Sequence, residues 1–463
     1  MKDQKFKLTE DPIPYLVIKM ALPVSIGFFF HTMFNVVDTY FASKINSVAV
    51  AAITISFPIF FMIIAISSGT RQGATALIAN AEGSNNKALA KKYLIQTVSF
   101  SIIAAVVIML IGLFSAPYLF KLMHATGDYF NFAIQYTSIL LYGCLFIILD
   151  STPTSGLNAV GDTKTYSRVF IIGFFVNLIL DPLFIYGYGP IPPMGVKGIA
   201  YATIAAEFIA TVYVFYRIKK MTEFFDNITV WDFFPKIQYQ LDLLRQALPA
   251  SLNMFCVSAG FFVITFFASF FPSPDTSNIS IASYGIAIRI EQIILLPAIG
   301  LNFACLSLTG QNFGALKYHR IREGYLVCLK YGLILMLCGS LLLYFGGGYF
   351  MQIFTEDINV INIGQHYLKI AALFAPIIPI INISIALMQG IKQPNYTVFI
   401  SSFKEIIGAV IIFWLICFYL NYKLEGLWVG ILIVNYLSVI IFLFIVNHKM
   451  KSIGLKIFKR RLT

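Results

Sequence analysis

Twelve long apolar stretches constrain the fold of this chain more than any other feature of its sequence. Each contains about twenty mostly apolar residues, the length that an α-helix needs to cross a bilayer. A transmembrane barrel would instead need short segments of alternating polarity, and the sequence has none. The stretches therefore predict an all-α membrane protein with twelve transmembrane helices. They cover residues 15–42, 49–79, 94–117, 132–157, 165–188, 196–217, 241–271, 281–311, 325–349, 364–389, 397–420 and 426–447.

Composition supports this class, and the placement of charge sets the orientation. Apolar residues make up 59% of the chain and charged residues only 12%, with a mean hydropathy of +0.81, far outside the range of soluble proteins. If both termini are cytoplasmic, 23 of the 33 Lys and Arg residues fall in the termini and in the connections on that side. This asymmetry predicts a multi-pass protein of the cell (inner) membrane with both termini cytoplasmic. The opposite connections carry only Lys44, Lys121, Lys197 and Lys423.

The same placement explains the net charge of +12. Cytoplasmic loops of membrane proteins collect Lys and Arg, so no nucleic-acid partner is needed to account for the charge. The basic tail from Lys449 to Arg461 is instead expected to rest on anionic lipid head groups. The six cysteines lie scattered in apolar stretches, without the spacing of a disulfide framework or a metal site.

An internal repeat divides the chain into two related halves. The segment ALPVSIGFFFHTMFNVVDTYFAS, which begins at Ala21, aligns without gaps to ALPASLNMFCVSAGFFVITFFAS, which begins at Ala247, with 10 of 23 positions identical. Shared apolar composition does not explain the common Ala-Leu-Pro start, the shared Ser25 and Ser251, or the Phe-Ala-Ser end. Six helices separate the copies, so both begin on the same side of the membrane. The halves are predicted to be parallel repeats related by a pseudo-twofold axis along the membrane normal.

The predicted domains follow from this repeat. An N-terminal lobe of six helices covers residues 1–218, a polar cytoplasmic linker covers 219–240, and a C-terminal lobe of six helices with the basic tail covers 241–463. Two six-helix bundles that face one another can hold a molecule between them. Rocking of such bundles is the usual basis of alternating access in transporters.

Four polar residues of the first half are predicted to lie at a similar depth. Asn177 and Asp181 share one face of the fifth helix, and Asp181 lies roughly 10 Å below the outer surface at about 1.5 Å per residue. Thr203 of the sixth helix falls about as deep, and Asp38 of the first helix lies roughly 6 Å down. Acids within a transmembrane segment are costly and are interpreted as functional. Asp38 is a solvated loop acid instead if its helix ends three residues earlier.

This oxygen-rich cluster suits a small cation. Two close carboxylates in a low dielectric resist ionising together, so one of them can hold a proton near neutral pH. Hard oxygen ligands can alternatively replace the hydration shell of Na⁺. The aligned positions of the second half are apolar: the counterparts of Asp38, Asn177, Asp181 and Thr203 are Ile264, Ile407, Ile411 and Val434.

Several motifs make the chain resemble the multidrug and toxic compound extrusion (MATE) transporters. They are the LP and FN..D pattern of the first helix, NLILDPLFIYG with GVKGIAYAT in the fifth and sixth, ASYGIAIRIEQIILLPAIGL in the eighth, and GQNFGALK after it. The resemblance extends over nearly the whole chain. It implies twelve helices in two lobes around a central cavity, and export of cationic, lipophilic compounds in exchange for H⁺ or Na⁺.

The resemblance also implies where the coupling ion binds. Another branch of the family uses acids in the seventh and tenth helices, but here the seventh offers Asn253 and no acid, and the tenth has no acid. The chain is therefore identified as a member of the DinF-like branch, and a Na⁺ site in the second lobe is not supported. The cation-coupling site of that branch, and a Na⁺ site if Na⁺ is the ion, corresponds to Asp38, Asn177, Asp181 and Thr203.

Further polar residues are candidates for gating or for lining the cavity. Asn35 belongs to the FN..D pattern. Arg289 and Glu291 are two residues apart on a helix, so they point to different sides and cannot simply pair with each other. Roles in the cavity, in gating or in a structural network are all open for them. Glu207, one turn past Thr203, is a candidate proton relay.

Two prolines and two further ionisable residues complete the candidates. Pro376 and Pro379 interrupt the tenth helix and are expected bend sites. Asp150 suits either capping or gating, and both readings are open. His31 is expected to be packed against its neighbours rather than to relay protons.

Three functions are compared for such a chain. The favoured one is a secondary active exporter, acting as a monomer without an organic cofactor, in which H⁺ and/or Na⁺ binding drives the release of organic cations or amphiphilic drugs. A lipid-linked saccharide flippase of the same superfamily would need a cationic cavity, for which Arg71 and Arg289 are the candidates. A membrane enzyme is not expected, because no metal-ligand spacing, activated nucleophile or nucleotide-binding loop is found in the sequence.

Overall fold

The computed structural model describes residues 7–123, 125–271 and 279–454, and nearly all of these are helical. Within these ranges, twelve helices are long and apolar enough to cross a membrane, which confirms the predicted all-α, multi-pass class. Each coincides with one predicted apolar stretch. The helices are α1 (Ile13–Ile45), α2 (Ser47–Gly83), α3 (Lys87–Leu122), α4 (Gly127–Ala159), α5 (Thr163–Tyr186), α6 (Val196–Met221), α7 (Ile237–Ser269), α8 (Ile279–Gly314), α9 (Tyr318–Gln352), α10 (Ile358–Gly390), α11 (Asn395–Tyr419) and α12 (Lys423–Ser452). The end of the predicted basic tail, residues 455–463, lies outside the described residues.

Side-chain caps set where several helices begin. Asn46, Asn86, Asp162 and Asp357 each precede a helix and accept a hydrogen bond from a backbone N–H of its first turn. Such caps satisfy amide groups that the first turn of a helix leaves unpaired. They allow short connections, and three residues are enough to join α2 to α3 and α4 to α5.

Three helices are interrupted within their apolar length. α4 breaks at Asp150, between its two helical segments. α10 passes through a 3₁₀ turn, Ala375–Ile377, which contains Pro376, a residue without a backbone N–H to donate. α11 contains two π-helical turns, Phe403–Ile407 and Leu415–Tyr419, each of which accommodates an additional residue. Such interruptions free backbone groups and are frequent at functional positions of helices.

The described chain forms two compact units, and each contains a short piece from the other half of the sequence. The first unit consists of Ile26–Ser251, and the second consists of Lys7–Ser25 together with residues 252–454. The first half of α1 therefore belongs to the second unit, and the first half of α7 belongs to the first unit. The predicted lobes, residues 1–218 and 241–463, do not include this exchange.

The exchange occurs at equivalent positions of the sequence repeat. The chain passes between units after Ser25 in α1 and after Ser251 in α7, which are matched residues of the two copies. Each serine lies two residues after a proline inside the same helix, Pro23 in α1 and Pro249 in α7. Because proline lacks an N–H and its ring crowds the preceding turn, it weakens the helix at this point.

The exchanged pieces pack against glycines that leave no room for a side chain. In the first unit, a Cβ atom on Gly69 would lie 2.7 Å from the carbonyl oxygen of Ala247, and one on Gly73 would lie 2.7 Å from its backbone nitrogen. In the second unit, a Cβ atom on Gly300 would lie 3.1 Å from the carbonyl carbon of Ala21. Small residues allow such close contact of helix backbones in membranes. The shared Ala-Leu-Pro start of the repeat is therefore a packing motif.

The segment before α1 is bound within the second unit by the end of α8 and the start of α9. The Arg320 guanidinium donates to the carbonyl oxygens of Leu8 at 3.2 Å and Asp11 at 2.6 Å, and to Oδ1 of Asn312 at 3.2 Å. Asn312, within the GQNFGALK motif, also donates to the Leu8 carbonyl oxygen at 3.1 Å. This motif therefore holds the start of the described chain.

The predicted linker packs on α3 in the first unit. The Gln96 amide donates to the carbonyl oxygens of Asp232 at 2.9 Å and Phe234 at 2.8 Å, and its oxygen accepts from the backbone N–H of Lys236 at 2.8 Å. Trp231 stacks on Phe234 with ring centroids 5.3 Å apart, and the two side chains are 75% and 58% exposed. Exposed aromatic side chains of this kind are typical of a membrane–water interface.

Candidate cation-binding site

The four residues predicted to bind a cation are all buried in the first unit. Asp38 is 7% exposed, Asn177 and Asp181 are 0% exposed, and Thr203 is 2% exposed. Asp38 lies seven residues before the end of α1 at Ile45, so it is a helical residue and not a loop acid. The other three lie on α5 and α6. Three helices thus bring the predicted residues together.

Hydrogen bonds connect these side chains. The Thr203 hydroxyl donates to Oδ2 of Asp38 at 3.3 Å, and Nδ2 of Asn177 donates to Oδ1 of Asp181 at 3.3 Å. Asp38 also interacts electrostatically with Asn177 and Asp181. The single proton of Thr203 can go instead to the carbonyl oxygen of Ile199, 3.0 Å away. In that arrangement the lone pairs of the hydroxyl oxygen face the cluster.

Three oxygen atoms of the cluster lack a hydrogen-bond donor within the described part of the chain: Oδ1 of Asp38, Oδ1 of Asn177 and Oδ2 of Asp181. Neither acid forms a salt bridge with a basic side chain of that part. Two ionised carboxylates buried together without a counter-charge are costly. A proton on one acid removes most of this cost, and so does a small cation between the oxygens, since hard oxygens are the ligands such ions prefer. The chemistry of the donor set therefore fits one bound positive ion.

Tyr136 of α4 is a further member of the cluster that sequence reasoning missed. Its side chain is 4% exposed and interacts electrostatically with both Asp38 and Asp181. A phenol can donate a hydrogen bond to a carboxylate. One tyrosine among 25 carries no signal of such a role, so only the packing of α4 against α6 reveals it.

Asn35 and Glu207, predicted as gating or cavity residues, lie near the cluster along the chain but do not join it. Asn35 is exposed, and its amide donates to a carbonyl oxygen one turn earlier at 3.0 Å. Glu207 is partly buried one turn beyond Thr203 on α6, where it interacts with Arg71 and Asp150. Their predicted roles stay predictions.

Arg289 and Glu291 of α8 point to different sides, as their spacing predicts. Arg289 is exposed, whereas Glu291 is 4% exposed. The Tyr367 hydroxyl of α10 donates to the Glu291 carboxylate at 2.6 Å. Tyr367 in turn packs against the rings of Tyr284 and Trp428, with centroids 5.2 and 5.0 Å away. Glu291 is thus a buried acid of the second unit that a phenol and its aromatic neighbours hold in place.

The prolines of α10 lie where the sequence predicts a bend. Pro376 is in the 3₁₀ turn, and Pro379 follows in the next helical segment. Pro379 packs closely on α9, because a Cβ atom on Gly332 would lie 2.7 Å from the proline Cβ. Their role in gating stays a prediction.

For two of the four second-half counterparts, the predicted equivalence with the cation-site residues is wrong. Ile407 and Ile411 of α11 are 56% and 60% exposed, so they do not face the interior as Asn177 and Asp181 do. The π-helical turn at Phe403–Ile407 adds a residue that the apolar sequence pattern does not show. The inward positions come one residue later, at the buried Gly408 and the partly buried Ile412. They too are apolar. Of the other two, Ile264 is partly buried and Val434 is 2% exposed.

Known proteins similar to this chain include membrane transporters over nearly its full length. The probable multidrug resistance protein YoeA of Bacillus subtilis is 26% identical over 385 residues, which are 82% of each chain. The FAD transporter of Shewanella oneidensis is 26% identical over 386 residues, 80% of each chain. A solved outward-facing structure of a multidrug resistance MATE family transporter of the MOP superfamily is 25% identical. Its TM-score is 0.89, and the match covers 98% of this chain and 99% of that one.

A family model gives the assignment. The MatE model matches twice, at residues 23–183 and at residues 249–414, so one match falls in each half of the sequence repeat. The first match contains Asp38, Asn177 and Asp181. The DinF-like branch within the family stays a prediction. Because the two matches together cover more than half of the chain, and because both copies of the repeat are recognised, the protein belongs to the MatE family.

Proposed function

We propose that this protein is a secondary active multidrug exporter that exchanges cationic or amphiphilic organic compounds for H⁺ and/or Na⁺ by alternating access. It acts as a monomer in the cell (inner) membrane with both termini cytoplasmic. The observation that carries the proposal is the buried oxygen cluster of Asp38, Asn177, Asp181 and Thr203. Membership of the MatE family and the names of the multidrug resistance relatives support the substrate class.

The charge of the cluster supplies a reason for coupling. When empty and ionised, the two carboxylates need water around them, because a buried pair of like charges has no counter-charge there. When a proton or Na⁺ is bound, the same side chains can be enclosed. The ion therefore prefers one conformation of the protein over another, which is the condition for a ligand to shift a conformational equilibrium.

Export then follows if the organic substrate prefers the opposite conformation. Ion binding from outside favours the state that releases substrate, and by reciprocity substrate binding favours the state that releases the ion. Asp38 and Asp181 hold the ion, Asn177 and Thr203 supply neutral oxygens, and the Asn177 amide positions Asp181. Tyr136 interacts electrostatically with both acids, and its phenol is able to donate a hydrogen bond when the site changes its charge.

Ethidium efflux from proteoliposomes tests this function. The purified protein is studied under a pH gradient alone and under a Na⁺ gradient alone, and wild type is compared with Asp38→Asn and Asp181→Asn. At least one gradient is expected to drive ethidium efflux by the wild type. The efflux rate of each variant should be at least about tenfold lower, since an interaction of about 1.4 kcal/mol or more is removed. Asp242→Asn is the matched control, because this acid of α7 is paired with the Tyr93 hydroxyl at 2.9 Å and lies outside the cluster. Normal gradient-driven efflux by Asp38→Asn would remove the coupling role.

Other substrate classes are tested in the same liposomes. A flippase for lipid-linked saccharides needs exposed cationic groups for the pyrophosphate. Of the two candidates, Arg289 is exposed but Arg71 is 8% exposed and packs over the ring of Tyr166 at 5.0 Å. The FAD transporter among the relatives makes an anionic flavin nucleotide a second comparison. Movement of FAD or of a lipid pyrophosphate without ethidium efflux would contradict the proposed substrate class.

A further inference from the structure

A second group of buried ionisable residues lies in the first unit and is not part of the cation site. It consists of Arg71 on α2, Asp150 at the break of α4, Tyr166 on α5 and Glu207 on α6, here called the Arg71 cluster. Arg71 and Asp150 are 8% exposed, Tyr166 is 2% exposed, and Glu207 is partly buried. Four helices contribute one residue each, so the cluster is a built feature of the unit's interior.

Arg71 is the centre of this cluster. Its guanidinium group lies 5.0 Å from the centroid of the Tyr166 ring and donates to the Ser68 hydroxyl at 3.3 Å. It interacts electrostatically with both Asp150 and Glu207, and the two acids also interact with each other. A cation over an aromatic face and near two acids is favourably placed. The cluster therefore keeps both carboxyl groups near one positive charge and near each other.

The charges in the cluster do not balance. Two acids face one guanidinium, so the group carries a net charge of −1 when both acids are ionised. Among the described residues, the other titratable groups that interact electrostatically with Arg71 include Tyr166 and His31, and His31 packs in an aromatic pocket with the Phe170 ring 4.8 Å away and the Phe28 ring 6.1 Å away. An imidazole packed among aromatic rings beside a guanidinium favours its neutral form, so neither it nor the phenol supplies a counter-charge. Because an unbalanced buried charge is costly, the cluster has a place for one proton, on Asp150 or on Glu207.

The Arg71 cluster begins one helical turn from the cation site. Thr203, which donates to Asp38, is four residues before Glu207 on α6, so the two side chains share a face about 6 Å apart along the axis. Both clusters belong to the first unit. Glu207 is therefore the acid that follows the cation site along α6 toward the predicted cytoplasmic end.

Polar groups continue from the cluster along the second segment of α4. Asp150 accepts from the Thr154 hydroxyl at 3.3 and 3.4 Å, and Asn158 follows four residues later on the same face. All nine residues of Ser151–Ala159 are buried. Asn158 is 1% exposed, and neither polar atom of its amide has a hydrogen-bond partner within the described residues. Buried amides of this kind are usually satisfied by water, so this face suits a hydrated path toward the end of α4 at Ala159.

We propose that Glu207 and Asp150, held beside Arg71, form a proton relay between the cation site and the predicted cytoplasmic end of the first unit. The proposal rests on the proposed antiport function and specifies the proton as a coupling ion. A proton leaves the Asp38–Asp181 pair and binds the Glu207 carboxylate, then passes to the Asp150 carboxylate, and is released to water beside Thr154 and Asn158. Each acid returns to its starting charge, so no other reactant is needed.

Comparing net ethidium efflux with ethidium exchange distinguishes a proton relay through Glu207 and Asp150 from a merely structural role of these residues. Net efflux of ethidium under a pH gradient requires protons to cross the protein, whereas exchange of radiolabelled for unlabelled ethidium at equal concentrations and equal pH does not. Glu207→Gln and Asp150→Asn are each expected to lower pH-driven net efflux about a hundredfold or more, since a positioned proton-transfer group contributes about 10²–10⁴-fold. Exchange should stay within about twofold of wild type in both variants.

Two more variants complete the experiment. Glu207→Asp keeps a carboxyl group and should restore part of the pH-driven rate. Glu223→Gln is the control, because the Glu223 side chain is 76% exposed and forms only a 3.8 Å surface pair with Lys87. Its pH-driven efflux and its exchange should both match wild type. If Glu207→Gln does not fold, Asp150→Asn decides the question alone.

Each remaining outcome overturns the relay in a distinguishable way. If Glu207→Gln and Asp150→Asn keep pH-driven efflux while Asp38→Asn loses it, the relay is wrong and the proposed function stands. If both variants fold but lose exchange as well, their role is structural. If only a Na⁺ gradient drives wild-type efflux, antiport stands without a proton relay. If Asp38→Asn keeps full coupling, the proposed function fails and the relay fails with it.

Discussion

Gly69 of α2 gives a sharp test of the exchanged helix halves. A Cβ atom added there would lie 2.7 Å from the carbonyl oxygen of Ala247, and the other close atoms include the backbone nitrogen of Ser251 at 2.5 Å. Backbone atoms of a packed helix cannot rotate away, so Gly69→Ala must push α2 and the first half of α7 apart. Overpacking costs about 1–3 kcal/mol, and contacts this short with backbone atoms belong at the upper end of that range, about 2–3 kcal/mol. Alanine recovers about 1 kcal/mol through its better helix propensity. We therefore expect a net loss of about 1–2 kcal/mol.

The loss can be measured as a shift in thermal unfolding. For a cooperative unit of about 150–250 residues, the size of the first unit, the shift is about 2–4 °C per kcal/mol, so the unfolding temperature of that unit in Gly69→Ala should fall by about 2–8 °C. A thiol-reactive fluorescent dye reports unfolding in detergent, because five of the six cysteines are buried and only Cys338 is exposed. All variants are heated at one scan rate, since unfolding of large membrane proteins is often irreversible.

A matched glycine separates packing from propensity. Gly173 lies inside α5 of the same unit, and a Cβ atom there would meet nothing within 4 Å. Gly173→Ala should therefore leave the unfolding temperature unchanged or raise it slightly. Gly300→Ala, at the equivalent place in the second unit, should behave like Gly69→Ala. If Gly69→Ala and Gly173→Ala unfold at the same temperature, the backbone contact with Ala247 does not hold the exchanged piece and the reasoning is refuted.

Three other substitutions test separate contacts. Thr203→Val keeps the shape of the side chain but removes the oxygen beside Asp38. The H⁺ or Na⁺ concentration that half-saturates ethidium efflux should therefore rise about tenfold, and an unchanged concentration contradicts this prediction. Tyr367→Phe leaves the buried Glu291 carboxylate without its 2.6 Å donor and should lower the free energy of unfolding by about 1–3 kcal/mol, measured by thermal unfolding. Adding Glu291→Gln to this variant should recover part of the loss. No loss in the single variant would exclude this contact as a stabilising one. Arg320→Ala removes two hydrogen bonds to the start of the described chain and one to Asn312, so backbone amides of residues 7–11 should exchange hydrogen faster than in wild type. Equal rates count against the contact.

The number and position of the helices could be predicted from the sequence because the bilayer imposes one strong requirement. A stretch of about twenty apolar residues has few other uses, and each of the twelve coincides with a helix. The cation cluster was predictable for a related reason. Asp38 and Asp181 are costly in an apolar helix, and Asn177 lies one turn from Asp181 on the same face. The structure then brings α1 and α5 together at those positions.

Partners across helices could not be predicted from the sequence. Arg71, Asp150, Tyr166 and Glu207 come from four helices, and no spacing along the chain shows that they meet. The repeat likewise identified Ser25 and Ser251 as equivalent without showing which helices they contact. The pair Gly69 and Gly73, one turn apart in α2, was the available signal for close packing there.

Local irregularity explains why part of the second-half alignment was wrong. A π-helical turn adds one residue without changing the apolar pattern, so the face that Ile407 and Ile411 occupy could not be read from composition alone. The assignment of Glu291 was limited in a similar way. Its spacing from Arg289 gave the correct opposite orientation, but the Tyr367 hydroxyl that binds it lies on α10, far away in the sequence.

The exchange of helix halves has a consequence for how the protein is made. When synthesis of α6 is complete, the first unit still lacks the first half of α7, which ends at Ser251. The segment Lys7–Ser25 belongs to the second unit, so it cannot pack natively until α8 has been synthesised. Neither half of the gene therefore encodes a finished half of the protein. Fragments divided between α6 and α7 are expected to reach a native state only when they are produced together in one cell.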